Sequence, residues 1–440
     1  MNGACMENPI SIANTTKMTK VRWQTFVLLL FVGALSYIDR ISLSIGMPLI
    51  AKEFDLSPQM QGLLLSSFFW TYALFQIPGG WLADKIGPRR ILTWAVTLWS
   101  VCQLATGLAL NFTMMLIARL GLGATEAPQY PTGAKLAALW LPLKDRARGA
   151  VLMDSSSTLG AAFGSLIVAG LISLLGGWRE SFIAVAILTA GAGFVIHRYI
   201  RDKPEQHPKV NELEAQYIAE EHRKEDSQEE QKALIGKPVN FLKHRTFWFM
   251  AVGFMTANML FYGLLTFGPL YLFQARGLDI HGLASASFFI YISGFFGENF
   301  AGWLAQKGLR RGYRQNVVMR TLLGISAAIA TMAIFAVAFV ESANAAIVLL
   351  AVTLFFGRFL GLYWSLPGTL TVRSQAGILG GMMNMFSNVG GIIIPLVTGV
   401  VVSMTGSYFA ALILFAACGL CYLVCSLLIN YEKKLVLSEE

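Results

Sequence analysis

The chain has 440 residues, 55% of them hydrophobic and 13% charged, with a formal net charge of +9. That balance excludes an ordinary soluble domain. Apolar stretches long enough to cross about 30 Å of hydrocarbon recur along the chain, and none alternates as a barrel strand would, so an all-α integral membrane protein is expected.

Twelve transmembrane helices are expected, near 23–49, 59–82, 91–110, 112–139, 149–175, 180–199, 246–273, 283–306, 316–340, 343–368, 377–404 and 407–430. The first is too long and too polar inside for a cleavable signal peptide. It carries Tyr37, Asp39 and Arg40, and the fourth carries Arg119 and Glu126. A charge at membrane depth costs a few kcal/mol or more, which makes these four ionisable residues the first candidates for chemistry. Arg119 and Glu126 stand seven residues apart, two helical turns, and so share a face. At about 1.5 Å per residue, Asp39 falls between them in depth.

Basic residues gather before span one (Lys17, Lys20, Arg22), after span two (Lys85, Arg89, Arg90), after span four (Lys144, Arg146, Arg148), after span eight (Lys307, Arg310, Arg311, Arg314) and after span twelve (Lys433, Lys434). The positive-inside rule then puts both termini in the cytoplasm. The net charge is a topology signal, and no nucleic-acid face is expected: the one sizeable polar segment, Arg201 to Arg245, mixes signs and is expected as a solvated cytoplasmic helix linking two halves. The expected organisation is a cytoplasmic tail (1–22), a six-helix bundle (23–200), the linker (201–245), a second six-helix bundle (246–430) and a cytoplasmic tail (431–440). No histidine falls at a span centre, and Cys418, Cys421 and Cys425 share one helical stretch without further ligands, so no metal or cofactor is expected.

Later spans add polar candidates. Ser155 to Thr158 make a polar turn in span five, which includes Ser157; Asn384 and Asn388 lie in span eleven, where an unpaired amide must face protein or water. Tyr37, Tyr72, Tyr262 and Trp364 suit the walls of a ligand cavity or ordinary packing. Arg358 in span ten and Glu298 in span eight are further buried charges, lining the second half's cavity or, for Glu298, joining a cytoplasmic gate. The glycine pairs Gly160 and Gly164, and Gly357 and Gly361, suit close helix contacts.

The halves are related. Gly80-Trp81-Leu82-Ala83-Asp84-Lys85 after span two returns as Gly302-Trp303-Leu304-Ala305-Gln306-Lys307 after span eight, with five of six positions identical. Parallel repeats of this kind build many secondary transporters, with the substrate site between halves near the midplane. Gly80-x-x-x-Asp84-x-x-Gly87-x-Arg89-Arg90 matches the loop signature of the major facilitator superfamily, and the resemblance covers the whole chain. It implies two six-helix bundles, and a gating cluster of Asp84, Arg89 and Arg90 that ties the halves in the outward-open state. Ser36-Tyr37-Ile38-Asp39-Arg40, Phe75-Gln76-Ile77-Pro78-Gly79-Gly80 and Arg119-x-x-x-Gly123-x-x-Glu126-Ala127-Pro128-x-x-Pro131 resemble the anion:cation symporters within it, which include galactonate, glucarate and hexuronate carriers and sialic-acid carriers. In that group Asn388 matches a substrate-contact position, and Ser157 stands where many relatives have glutamine.

The expected function is proton-coupled symport of a small organic anion, a sugar acid by resemblance, taken up by alternating access across a bacterial inner membrane by a monomer embedded in lipid. Desolvation and an adjacent guanidinium act oppositely on a carboxyl, so a change in the cavity can change its protonation. Asp39 and Glu126 are the expected proton acceptors, with Arg40 and Arg119 as their partners or as forks for the substrate carboxylate. A static ion-pair lattice is the structural alternative. Sodium coupling, another carboxylate as cargo, or a sensor or channel role remain as rivals. No enzyme motif such as GxSxG, HExxH or a nucleotide loop occurs between spans, so an enzyme is not expected.

Overall fold

The structure, a computed structural model, describes residues 17–233, 241–371 and 373–435. Cys5 and most of the 1–22 tail, and the end of the 431–440 tail, lie outside the described residues. Among the described residues all regular structure is helical. The first bundle comprises α1 (Val21–Glu53), α2 (Pro58–Ile86), α3 (Pro88–Gly107), α4 (Phe112–Glu126), α5 (Gln129–Trp140), α6 (Leu143–Leu175) and α7 (Trp178–Tyr199). The linker contributes α8 (Glu212–Ala233). The second bundle comprises α9 (Arg245–Gln274), α10 (Ile280–Arg310), α11 (Gln315–Val337), α12 (Ala343–Gly357), α13 (Leu366–Leu370), α14 (Arg373–Thr405) and α15 (Phe409–Leu428).

Nine of the twelve crossings are long and apolar enough to be recognised by composition alone among the described residues, with α12 and α13 counted as one. The other three are α2, α3 and the α4–α5 pair, all in the first bundle. The starts of α2, α4, α10 and α12 satisfy a free N–H group with a short polar side chain. Asn111 Oδ1 accepts from Met114 N at 2.9 Å and Asp279 Oδ1 from Gly282 N at 2.8 Å. Ser57, followed by Pro58, caps α2 through Met60 N at 3.4 Å.

Two spans differ from the continuous helices expected. Span four breaks between α4 and α5, where Pro128 has no N–H to continue the ladder. Span ten tightens into a 3-10 stretch at Arg358–Ser365 before α13. These are equivalent spans of the two bundles, and each break carries a buried ionisable group: Glu126 is the last residue of α4 and Arg358 the C-cap of α12. The repeat is visible in the side chains too. Lys85 lies 5.0 Å from the Trp81 ring and Lys307 lies 4.4 Å from the Trp303 ring.

The bundles meet from mid-depth to the end that holds the α1–α2 and α9–α10 connections. There α2 and α14 touch backbone to backbone: a Cβ on Gly62 would sit 2.6 Å from Pro395 O, and one on Gly399 2.6 Å from Pro58 O. Ser66 Oγ donates to Ile392 O at 2.9 Å, Ser165 Oγ donates to Ala284 O at 3.2 Å, and Phe163 meets Phe288 edge to face at 5.5 Å. One apolar core runs across this joined end, and a second, around Phe247, Phe254, Tyr363 and Tyr422, fills the far end of the second bundle alone. Gly160 and Gly164 do allow close approach, but to Ala34 and Ile38 of α1 inside the first bundle. Gly357 has no neighbour nearer than Leu260 at 4.0 Å, so that half of the second pair makes no close helix contact.

The linker is not merely solvated. The Glu214 carboxylate is fully buried against the start of α1, where it accepts from Thr19 Oγ1 (2.7 Å), Val21 N (3.0 Å), Arg22 N (3.2 Å) and Arg22 Nη1 (2.8 Å). It supplies from the linker the anionic cap that α1 lacks in its own sequence. Trp140 Nε1 donates to Arg201 O at 3.1 Å, and the His207 ring packs on Trp140 and Tyr199. Burial, with Arg201 and Lys209 nearby, holds the His207 imidazole below its usual range.

Candidate functional site

The four ionisable residues of spans one and four come together at mid-depth of the first bundle. Arg40 Nε donates to Glu126 Oε1 at 3.0 Å, and Nη2 donates to the same oxygen. Both residues are sealed from solvent, and Glu126 Oε2 has no hydrogen-bond partner. A carboxylate at the C-terminus of α4 opposes the helix dipole, and the Arg40 charge offsets that cost. The guanidinium is boxed by three rings, with Tyr37 at 4.5 Å, Phe68 at 4.4 Å and Tyr72 at 4.7 Å. These faces offset part of the cost of taking the guanidinium out of water.

Asp39 and Arg119 are arranged differently. Arg119 Nη1 donates to the backbone carbonyl of Asp39 at 3.4 Å, and its Cζ lies 5.6 Å from the Phe68 ring. Among the described residues the Asp39 carboxyl makes no ion pair and no hydrogen bond of ordinary geometry, its buried oxygens facing Trp99 of α3 and Thr189 of α7. The pairing expected between Asp39 and an arginine side chain is absent in this conformer. The quartet still sums to zero charge when ionised.

The second bundle brings its own cluster. Arg358 Nη2 donates to Glu298 Oε2 at 2.6 Å and to Asp154 Oδ2 of α6 at 2.9 Å, and Nε reaches Glu298 at 3.2 Å. Glu298 is thus joined through Arg358 to Asp154 of the first bundle. Arg358 lies 5.0 Å from the Phe261 ring, which meets the Tyr37 ring at 6.4 Å. Tyr262 packs on Phe69 of the first bundle at 4.7 Å. Asn384 and Asn388 of α14 both donate to Gln76 Oε1 of α2, at 3.1 and 3.3 Å, tying the bundles.

Other candidates lie differently. Ser157 is buried and spends its hydroxyl hydrogen on Asp154 O at 2.7 Å within its own helix. Trp364 is 40% exposed and packs its edge on Phe254. Among the described residues the gating residues make hydrogen bonds and ion pairs only within the first bundle and with Asp202 beside it. Asp84 pairs with Lys135 at 2.7 Å, Arg89 Nη2 donates to His197 O at 2.7 Å, and Arg90 is exposed with no hydrogen bond or ion pair. Gly87 holds φ +104° where a Cβ would press on Asp202, whose Oδ1 caps Arg89 N at 2.8 Å. Gly80 meets Pro131 of α5.

Sequence reasoning missed Asp154 and Gln76 as site residues. Asp154 was detectable as a lone carboxylate inside the fifth span's apolar run, matching the lone Arg358 of the tenth. Gln76 had no such signal, because a single amide in a helix is common.

A family model described as Major Facilitator Superfamily matches residues 29–395. Over 375 residues the chain is 32% identical to a probable sulfoacetate transporter of Cupriavidus necator, covering 85% of this chain and 86% of that one. It is 27% identical to a probable galactarate/D-glucarate transporter of Escherichia coli, covering 95% and 96%, and 30% identical to a hexuronate transporter of Bacillus subtilis, covering 90% and 92%. Among solved structures, a bacterial homologue of the human lysosomal transporter Spinster, described as inward-facing and occupied, superposes with a TM-score of 0.69 at 19% identity, over 93% of this chain and 95% of that one.

Proposed function

This chain belongs to the Major Facilitator Superfamily, and we propose that it is a secondary carrier that takes up a small organic anion with protons by alternating access. It is a multi-pass membrane transporter, not an enzyme. The cargo class is a carboxylate or sulfonate with polar substituents, with sugar acids such as an aldonate, aldarate or hexuronate first among them, as the names of the relatives suggest. The carrier works as a monomer in a bacterial inner membrane, with both termini cytoplasmic. In that orientation the joined end faces outward and this conformer opens to the cytoplasm, with the Asp84–Arg89–Arg90 cluster disengaged from the second bundle.

One observation carries the reading. Two arginines and two carboxyls are buried together at mid-depth, with Arg40 held on Glu126 in an aromatic box while Asp39 makes no ion pair among the described residues. An unpartnered ionised carboxyl in such a place is costly, and a proton removes that cost. Proton loss from Glu126 re-forms its pair with Arg40; proton gain releases the Arg40 fork to an anion. Substrate and proton are thereby linked through one guanidinium. Arg119 keeps the potential positive beside the site, and Asn384, Asn388, Tyr37 and Tyr262 line its approach.

The test uses purified protein in sodium-free proteoliposomes under an inward proton gradient, with galactarate, glucuronate and sulfoacetate as cargoes. Wild type should concentrate at least one of them. Glu126→Gln should lose accumulation above equilibrium yet still exchange labelled for unlabelled cargo. Accumulation by Glu126→Gln, or a strict need for sodium, would overturn the coupling assignment.

A further inference from the structure

We propose that Arg358, with Asp154 and Glu298, forms a second anion subsite, and that the preferred cargo is therefore a dianion gripped by one bundle at each end. The inference rests on the organic-anion reading above and narrows it.

The cluster has the features of a site rather than of a simple brace. Arg358 is buried, and its Nη2 and Nε take both carboxylates along one edge of the guanidinium, while Nη1 makes no hydrogen bond among the described residues. The free corner leaves room for one more acceptor. The two partners are unequal. Glu298 is sealed, with Gly361 packed against it so closely that a Cβ there would sit 3.0 Å from its carboxylate, whereas the Asp154 side chain is 23% exposed. An arriving anion can replace Asp154 far more easily than Glu298.

Position supports the same conclusion. Arg40 of the first bundle and Arg358 of the second are linked through neighbouring rings: Arg40 lies over Tyr37, Arg358 over Phe261, and the two ring centroids are 6.4 Å apart. A molecule lying across those rings meets a guanidinium at either end. Asp154 comes from the first bundle and Arg358 from the second, so this ion pair ties the bundles. A cargo that takes the place of Asp154 takes over the tie, which is what a carrier needs if only the loaded form is to move.

Charge sets the proton balance. Two carboxylates on one guanidinium leave one uncompensated negative charge in a low-dielectric interior, and a second anion cannot join them without neutralisation. A proton from the open aqueous side adds to Asp154, turning COO⁻ into COOH and freeing the Arg358 fork for the anion; it returns to water when the anion leaves. A dianion therefore takes up one proton more than the monoanion of the same skeleton.

The test compares matched pairs by calorimetry on purified full-length protein: galactarate with galactonate, and sulfoacetate with glycolate, at several pH values. In wild type at least one dianion should bind at least tenfold more tightly than its partner, the gap widening as pH falls, up to about tenfold per pH unit for one extra proton. Arg358→Gln should collapse the gap, the dianion losing at least tenfold more affinity than the monoanion. Asp154→Asn, which keeps the shape and removes the titrating group, should preserve the dianion preference and flatten its pH dependence. A structural brace would weaken both members of a pair alike and leave their pH dependence in step. Equal binding within the pairs, equal losses in Arg358→Gln, or an unaltered pH slope in Asp154→Asn overturns the dianion subsite while leaving the carrier reading intact. If none of the four compounds binds wild type, the dianion subsite falls, and uptake of glucuronate decides the carrier reading.

Discussion

The division of labour among buried charges is decided by single atoms. Arg40 uses two nitrogens on one oxygen of Glu126 while three aromatic faces lie within 5 Å of its Cζ, a geometry that needs a planar fork. Arg40→Lys keeps the charge but offers a compact ammonium that cannot both donate along an edge and stack. Its expected result is a folded protein with at least tenfold weaker cargo binding. Arg40→Gln should in addition lower the melting temperature, because Glu126 is left buried without its partner, a loss of about 3–5 kcal/mol by comparison with other broken buried pairs. Thermal unfolding and calorimetry on the two variants check both outcomes. At this scale the sequence was informative about type and depth: the seven-residue spacing of Arg119 and Glu126 and their setting in apolar runs pointed to the buried cluster that the structure shows. Partner choice was not legible. Whether Arg119 meets the carboxylate or the backbone oxygen of Asp39 depends on how α1 is rotated against its neighbours, and that rotation is fixed by distant packing such as Ala34 against Gly160.

Elements carry a second kind of information, and here hydropathy was both sufficient and misleading. It located the crossings, because a membrane helix must satisfy its own backbone whatever its side chains. It hid the breaks in spans four and ten, because a 3-10 turn or a proline step leaves the apolar count unchanged. Those breaks place Glu126 and Arg358 at helix ends, where the dipole favours the arginine and opposes the glutamate. The linker holds a detail that composition hid for a related reason: α8 is the polar helix expected, yet one of its carboxylates is the missing cap of α1. Glu214→Ala should uncap four donors at once and deprive Arg22 of its close carboxylate, leaving it a 3.8 Å contact with Asp145 and the Tyr217 ring. The expected effect is a melting temperature lowered by several degrees, with cargo affinity within about threefold of wild type, since Glu214 lies at the bundle end and not in the cavity. An unchanged melting temperature would mean that α8 merely rests on the bundle.

At the scale of the whole molecule, the repeat and the resemblance gave two bundles, but not which end they would close. The structure joins them at the α1–α2 and α9–α10 end through a backbone contact so tight that no side chain fits between Gly62 and Gly399. Such a contact acts as an on–off seal: either the two helices touch there or they separate by more than a side chain, because packed interfaces are bistable rather than continuously deformable. Ser66, one to two turns deeper, is fully buried behind it and bonded to Ile392 O. A leucine at position 399 would put its first carbon 2.6 Å from Pro58 O and hold the seal open. In right-side-out vesicles, a membrane-impermeant maleimide should therefore react with Ser66→Cys at least tenfold faster when Gly399→Leu is also present, and net uptake should fall by a similar factor. Cargo exchange from the outside should stop as well, since a carrier that cannot close one end cannot open the other. Slow labelling in both backgrounds would show that the bundles separate along another line, with the Asn384–Gln76 and Arg358–Asp154 ties at mid-depth, rather than the glycine seam, setting which side is open.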